Sequence, residues 1–150
     1  MILSAYPTMG KTTLTKKRID IIDLESSCFD KANPNWYIDY CNTALDLEKQ
    51  GYIVFVSSHK PVQEFMKKHA KNYIMLMYDI SLKDYVIEKC VERYALTSSE
   101  KDFRALTRVQ DNFESDYQAI YKDDTLDRMF ISDPNYVLED IVDDLARINK

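Results

Sequence analysis

The segment with the clearest chemical signal is residues 5–12, which read AYPTMGKT. A small residue followed after four positions by Gly-Lys-Thr is the spacing of a loop that wraps nucleotide phosphates between a strand and a helix. Glycine allows backbone N–H groups to approach an anion, the lysine amine can reach the β- and γ-phosphates, and the threonine hydroxyl can ligate Mg²⁺. We therefore predict that a nucleotide is bound by Tyr6, Pro7, Thr8, Met9, Gly10, Lys11, Thr12 and Thr13.

Ala5 stands where the strict form of this loop pattern has a glycine. If that position requires a positive φ, alanine would be strained there by about 1 kcal/mol. The alternative to a phosphate loop is a chance match within an ordinary turn. The flanking sequence argues against chance, because a short apolar run at 1–4 precedes the loop and a cationic helical pattern follows it at 11–18.

Composition narrows the classes of protein to consider. The length of 150 residues suits one domain, 1–150, and a hydrophobic content of 45% is enough for a core. A net charge of −5 argues against binding to nucleic-acid polymers. We expect no membrane partner, because the apolar N-terminal run is too short for a signal peptide and no segment reaches transmembrane length. The three cysteines lack zinc or disulfide spacing, which indicates thiols in a reducing cytoplasm.

Strand and helix patterns alternate along the chain. Apolar runs at 1–4, 19–23, 52–56, 73–78 and 129–131 predict five strands, and helical spacing separates them. In the helix after the second strand, Asn33 is the expected N-cap, with Pro34 in the first turn. This alternation predicts a three-layer α/β domain with a parallel sheet of about five strands. Ligands of such sheets bind beyond the carboxyl ends of the strands.

Acidic residues follow the second predicted strand. Asp23 and Glu25 alternate, so both should face the same side. A carboxylate beside the phosphate loop can hold Mg²⁺, orient a substrate or accept a proton, and we assign these roles first to Asp23. The alternative is an ordinary polar strand exit. Further along, Trp36 could stack on a nucleobase, although core packing is the favoured role.

Hydroxyl and cationic side chains follow the third predicted strand. They suit contacts to a phosphate or a nucleotide: Ser57, Ser58, His59 and Lys60. The alternative for His59 is that it only caps the next helix. The turn at 132–135, after the fifth strand, could border a base-binding slot, or it could only cap the last helix.

Three arginines of the helical region between the fourth and fifth predicted strands are of interest: Arg93, Arg104 and Arg108. The last two are four residues apart and should share one helix face. Arginines above a phosphate loop can neutralise a phosphoryl group during its transfer, so all three are candidate catalytic residues. The alternative is surface ion pairs with acids such as Glu92 and Asp102.

These features resemble the small P-loop kinases, the group that contains nucleoside monophosphate kinases and shikimate-kinase-like enzymes. The resemblance is carried by the loop at 5–13, the acidic segment DLESS at 23–27 and the arginine-bearing region after the fourth strand. The segments DLESSCF, NPNWYIDY, VFVSSHK and SLKDYVIEKCVERY also resemble nucleotide-kinase-like proteins of bacteriophages, over roughly residues 1–95.

The resemblance implies a P-loop NTPase-type domain with ATP and Mg²⁺ at the loop. Lys11 would bind phosphates, Thr12 and Asp23 would lie at the metal, and Arg93 would stand at the base of a mobile helical lid at about 95–125. The acceptor would bind between the exit of the second strand and the following helix. A cytoplasmic monomer or homodimer is expected, in the host cytoplasm if a phage encodes it. The chain departs from its relatives in having no glycine after Gly51 and no acidic residue at Ser57.

The resulting hypothesis is phosphoryl transfer from ATP to a small-molecule phosphate acceptor. A nucleoside monophosphate is the predicted acceptor, with a deoxynucleotide favoured. Two alternatives stay open. The acceptor could be a hydroxyl of a nucleoside or small metabolite, with Asp23 as the base. The chain could also be a nucleotide-binding module or slow NTPase that acts through a protein partner.

Overall fold

The computed structural model of the chain, which describes residues 1–149, contains a sheet of five parallel strands. The strands are β1 (Ile2–Ala5), β2 (Ile21–Asp23), β3 (Ile53–Phe55), β4 (Tyr73–Tyr78) and β5 (Arg128–Ile131). Their order across the sheet is β2-β3-β1-β4-β5, and all four neighbouring pairs run parallel. The α/β class and the five-stranded parallel sheet predicted from the sequence are confirmed.

Helices connect these strands. They are α1 (Lys11–Lys17), α2 (Trp36–Lys49), α3 (Lys60–His69), α4 (Lys83–Thr97), α5 (Glu100–Tyr121) and α6 (Leu138–Ile148). Short 3₁₀ turns stand at Ser26–Cys28 and Ile80–Leu82. Within residues 1–149 no helix combines the length and apolar character needed to cross a membrane.

The strand order accounts for helices on both faces of the sheet. The connection from β1 to β2 runs in the opposite direction to the other three, and crossovers between parallel strands are right-handed. Helix α1 therefore lies on one face, while α2, α3 and the α4–α5 pair lie on the other. The contacts of α1 with α6, and of α2 with α3, agree with this arrangement, which is compatible with three layers.

Strand β1 is at the centre of the core. Ile2, Leu3 and Ser4 have no exposed surface. The buried hydroxyl of Ser4 is nevertheless paired, because it donates to the carbonyl of Val56 at 3.1 Å and lies 2.8 Å from the Tyr73 hydroxyl. The strand that leads into the loop at 6–10 is thus fixed on both sides by its neighbours.

Two element boundaries differ from the sequence prediction. Helix α2 begins at Trp36 rather than Pro34, because the side chain of Asn33 accepts a hydrogen bond from the N–H of Asn35 at 3.0 Å and forms a local turn instead of capping the helix. Strand β2 begins at Ile21 rather than Ile19, whose side chain is 96% exposed. At its other end, α2 is followed by Gly51, whose φ of +99° is the left-handed conformation that commonly ends a helix.

A short corner joins α4 to α5 in the arginine-bearing region. Helix α4 continues to Thr97, and Ser99 caps α5 by accepting a hydrogen bond from the N–H of Asp102 at 3.1 Å. Two residues separate the helices, Ser98, which has a φ of +51°, and Ser99. The arginine-bearing region is therefore a pair of long packed helices joined by a tight turn.

An ion pair fastens α3 to the turn after α5. The Lys67 amine lies 2.6 Å from the Asp123 carboxylate, and these side chains are only 12% and 18% exposed. Hydrogen bonds from Lys67 and then Thr125 lower the pKa of Asp123 to about 2. The folded state therefore holds the charged carboxylate more strongly than the unfolded chain does.

We expect Asp123→Asn to reduce the free energy of unfolding by about 1–2 kcal/mol at pH 7, measured by urea denaturation. Because the folded pKa is depressed, the loss is full above the ordinary carboxyl pKa of about 3.9 and shrinks as the pH falls from there towards the folded value. Asp124→Asn is the matched control, since that carboxylate is 95% exposed and only 3.8 Å from Arg128. Equal losses in the two variants would contradict this account.

Candidate functional site

A cleft of about 720 Å³ opens beyond the carboxyl ends of β1, β2 and β3. Four parts of the chain line it: the loop after β1, the exits of β2 and β3, and the corner between α4 and α5. Parallel α/β sheets bind their ligands at this edge, close to strands whose connections run in opposite directions. Here β1 and β4 are neighbours of that kind.

The loop after β1 has the backbone that an anion site needs. Gly10 has a φ of +93° and caps α1, and apart from its own neighbours in the chain no atom of residues 1–149 lies within 4 Å of where a Cβ would stand. Ala5 ends β1 without a positive φ, so the strain considered for it is absent. The second positive φ of the loop belongs to Thr8, at +76°. The backbone thus adopts a left-handed conformation at two residues, Thr8 and Gly10, before α1 begins.

Thr8 is a point of local strain. A β-branched residue with a φ of +76° is an outlier, and its buried hydroxyl has no hydrogen-bond partner of acceptable geometry among residues 1–149. The Tyr78 hydroxyl donates to the Thr8 carbonyl at 3.2 Å and holds the distortion in place. The neighbouring Cys90 thiol has a pKa raised by burial. Backbone strain that is held by surrounding packing concentrates at functional sites.

Tyr6 supports the loop from below. Its ring is 1% exposed and packs edge-on against Phe113, with ring centres 5.6 Å apart. Its hydroxyl donates to Asp116 of α5 at 3.0 Å, and burial followed by Asp116 raises the pKa of Tyr6. Unlike the seven other predicted loop contacts, Tyr6 does not line the cleft.

Asp23 faces the loop from the end of β2. Its carboxylate lies 3.9 Å from the Lys11 amine, and both side chains line the cleft. Burial raises the pKa of Asp23, the positive charges of Lys11 and Lys101 lower it, and Glu25 raises it. Glu25 also lines the cleft. The predicted pairing of an acidic exit with the phosphate loop is thus present in space.

The exit of β3 contributes hydroxyl groups and an imidazole. Ser57, Ser58 and His59 line the cleft, and the Ser57 Oγ lies 2.7 Å from Nδ1 of His59. Tyr40 clamps this exit to that of β2, because its hydroxyl donates to the Leu24 carbonyl at 2.6 Å and accepts the Ser57 N–H at 2.8 Å. The two exits are therefore held at a fixed separation.

Cationic groups surround His59. Partial burial lowers its pKa, and so do the positive charges of Lys31 and Arg108. Lys60 does not line the cleft, since its amine lies 3.5 Å from Glu64 and its side chain is 75% exposed. Trp36 also lies outside the cleft, packed edge-on against His59 at 5.5 Å, in agreement with the packing alternative.

Two of the three candidate arginines reach the cleft. Arg93 and Arg108 line it, whereas the Arg104 side chain is 70% exposed and lies 3.6 Å from Glu100. Arg104 therefore forms a surface ion pair, which was the alternative to a catalytic role.

Residues of the α4–α5 corner were missed by sequence reasoning. Five of them line the cleft, and so do two residues of the β2 exit, Leu24 and Ser26. The five are Thr97, Ser99, Lys101, Asp102 and Ala105. A signal was present, because Ser99 and Asp102 have the spacing of a capping box, which starts α5 sharply and turns its first residues over the cleft.

No protein-family model matches this chain, and no curated protein resembles it at a significant level. The chemistry of the site therefore rests on its own residues. The loop has two residues with a positive φ, and the Lys11 amine and the Thr12 hydroxyl follow it. Together with the facing carboxylate of Asp23, these groups are suited to a phosphate chain and its counter-ion.

The donor groups fit a magnesium–nucleotide complex better than a metal held by protein alone. In the part of the chain that the structure describes, no three His, Cys, Asp or Glu side chains are grouped for a metal ion. Magnesium in nucleotide sites takes one or two protein oxygens and completes its shell with phosphate oxygens and water. Thr12 and Asp23, which both line the cleft, match that sparse set.

Strain at Thr8 leads to a stability test with two variants. Thr8→Gly and Thr8→Ala both remove the buried unpaired hydroxyl, but only glycine relieves the positive φ. We expect Thr8→Gly to be about 1 kcal/mol more stable than Thr8→Ala, or about 2–4 °C in Tm, measured by thermal denaturation. At a position of ordinary φ, glycine would instead be the less stable variant, and that result would contradict the strained loop.

Proposed function

We propose that the protein is a P-loop-type kinase that transfers the γ-phosphoryl group of ATP to a nucleoside monophosphate. The observation that carries the proposal is the reversed loop at the end of β1, whose Lys11 amine faces the Asp23 carboxylate at 3.9 Å across one cleft. That arrangement provides for a polyphosphate on one side and a group to be activated or oriented on the other.

The donor side consists of loop N–H groups and Lys11. The open space over Gly10 admits a phosphate close to the backbone, and the amine of Lys11 neutralises its charge. This amine is paired with Asp23 at 3.9 Å. A bound phosphate would replace Asp23 as its partner. Thr12 and Asp23 would hold Mg²⁺, which when bound supplies charge neutralisation to the phosphate oxygens.

A second, smaller cavity supports a place for the base of the donor. It measures about 80 Å³ and lies at the exits of β4 and β5, with Tyr85, Pro134 and Tyr136 in its walls. Met9 lines both this cavity and the main cleft. Flat side chains beside a phosphate loop suit a purine, although a whole purine needs the slot to widen.

The charge around the acceptor side favours a phosphorylated acceptor. His59, whose pKa is lowered first by partial burial, stands near the positive charges of Lys31 and Arg108. Lys101 adds a positive charge near Asp23. A phosphate dianion would gain from these cations, whereas an uncharged alcohol would not.

Transfer to a phosphate requires little covalent chemistry from the protein. The phosphate oxygen of the acceptor is already a nucleophile, so the chain has to align two phosphates and neutralise the charge between them. Lys11 on the loop, and Arg93 and Arg108 on the helices above it, line the cleft with that charge. The structure of the site therefore matches the chemistry of positioning and electrostatic stabilisation.

One observation favours a second candidate, a kinase for a hydroxyl acceptor. Burial raises the pKa of Asp23, and a carboxylate with a raised pKa is a better general base for removing a hydroxyl proton. The cationic surroundings of His59 weigh against this candidate, but both use the same loop and the same donor.

We expect Lys11→Ala to reduce phosphoryl transfer by at least about 100-fold while leaving the fold intact, because it removes the charge nearest the transferred group. Transfer is measured as diphosphate formed from ATP, Mg²⁺ and each nucleoside monophosphate in turn. Lys16→Ala is the matched control, as this lysine is exposed on the same helix. If both variants keep the activity of the unmodified protein, the loop is not the donor site.

The Asp23→Asn variant separates the two candidate acceptors. With a nucleoside monophosphate, we expect kcat to fall by about tenfold, because Asp23 then helps Thr12 to hold Mg²⁺ but removes no proton. With a hydroxyl acceptor, the loss should be about 10²–10⁴-fold, and the activity of the unmodified protein should fall as the pH drops through the raised pKa of Asp23. Binding of ATP without turnover of any monophosphate, nucleoside or other alcohol would contradict both candidates and support a nucleotide-binding module.

A further inference from the structure

Three side chains connect the phosphate loop to helix α5. One carboxylate oxygen of Asp116 accepts hydrogen bonds from the Tyr6 hydroxyl at 3.0 Å and from Nε of Arg108 at 3.3 Å. The Arg108 guanidinium also lies over the Tyr6 ring, 5.6 Å from its centre. A residue inside the loop and an arginine of the cleft therefore share a single acceptor.

The position of Arg108 along its helix is unusual for an exposed arginine. Asp116 is eight residues further along α5, which corresponds to roughly 12 Å of helix rise. To reach it, the Arg108 side chain has to lie along the helix towards the loop. Only Nε is used in this contact, and the residue lines the cleft, so both terminal amino groups of the guanidinium stay available to a ligand.

The anchor of this contact, Tyr6, is tightly packed. The Tyr6 ring is 1% exposed and packed against Phe113, and the Tyr6 N–H donates to the Leu76 carbonyl of β4 at 3.1 Å. The hydrogen bond from Tyr6 therefore restrains the Asp116 carboxylate, which in turn restrains the side chain of Arg108. Arg104, one turn earlier on α5, has no such anchor and is 70% exposed beside Glu100.

We propose that Asp116 is a positioning residue that holds Arg108 over the phosphate loop, with Tyr6 as its anchor. This inference rests on the proposed function in that the ligand of Arg108 is a polyphosphate. The arginine is then already oriented in the free protein, and the loop and the helix above it act as one unit. Tyr6 thereby has a role that its absence from the cleft surface would not suggest.

The charge of Asp116 makes the test sharp. Removing a negative charge near a polyanion site should tighten binding if only the summed charge matters. If Asp116 positions Arg108, its removal should weaken binding instead. The two accounts differ in sign, so Asp116→Asn distinguishes them without reference to any assumed acceptor.

The experiment is a double-mutant cycle on the binding of inorganic tripolyphosphate, measured by calorimetry. We expect Asp116→Asn and Tyr6→Phe to weaken binding about threefold to tenfold, Arg108→Gln to weaken it about tenfold, and Asp116→Asn/Arg108→Gln to match Arg108→Gln alone. Asp111→Asn is the charge-matched control on an exposed position of the same helix, and it should not weaken binding.

Tighter or unchanged binding in Asp116→Asn, or effects of Asp116→Asn and Arg108→Gln that multiply, would overturn the positioning role. Thermal denaturation identifies any variant that is not folded, and Tyr6→Phe keeps the ring packing if Asp116→Asn fails to fold. If the unmodified protein binds tripolyphosphate but transfers phosphate to no acceptor, the proposed function fails while the cycle still decides the role of Asp116. If it does not bind tripolyphosphate at all, both are overturned.

Discussion

The reversal of the backbone between β1 and α1 is the constraint on which the remainder of the site depends. Five residues connect a fully buried strand to a helix, and two of them, Thr8 and Gly10, have a positive φ. A positive φ is unfavourable for a β-branched residue such as Thr8. The loop is held by the Tyr78 hydroxyl on the Thr8 carbonyl and by Tyr6, which is fixed beneath the loop by Phe113 and Asp116.

Because the loop is held from beneath, its upper side is free for ligands. The exits of β2 and β3 bring Asp23, Ser57 and His59 to the same cleft, and the Tyr40 hydroxyl joins the two exits. The corner at Ser98 brings the first turn of α5 above them. The sheet thus positions Asp23, Ser57 and His59 in the cleft, while the α4–α5 pair adds the cationic side chains of Arg93 and Arg108.

Much of this arrangement could be predicted from the sequence, because it follows from local patterns. The loop, the acidic exit and the five strands each have a signal in neighbouring residues, and parallel strands bring their exits together. What depends on distant contacts could not be predicted. The strain lies at Thr8 and not at Ala5, since the former is held by Tyr78 from β4. Arg104 and Arg108 share a helix pattern but differ in outcome, because Glu100 holds one outside while Asp116 draws the other towards the loop.

A crystal structure with a non-hydrolysable ATP analogue and Mg²⁺ tests the central claim most directly. The account predicts that the β- and γ-phosphates lie within hydrogen-bonding distance of the loop N–H groups, and that Lys11 exchanges its contact with Asp23, 3.9 Å in the free chain, for the phosphates. Phosphates bound elsewhere, or a loop that excludes them while Lys11 keeps its contact with Asp23, would contradict it.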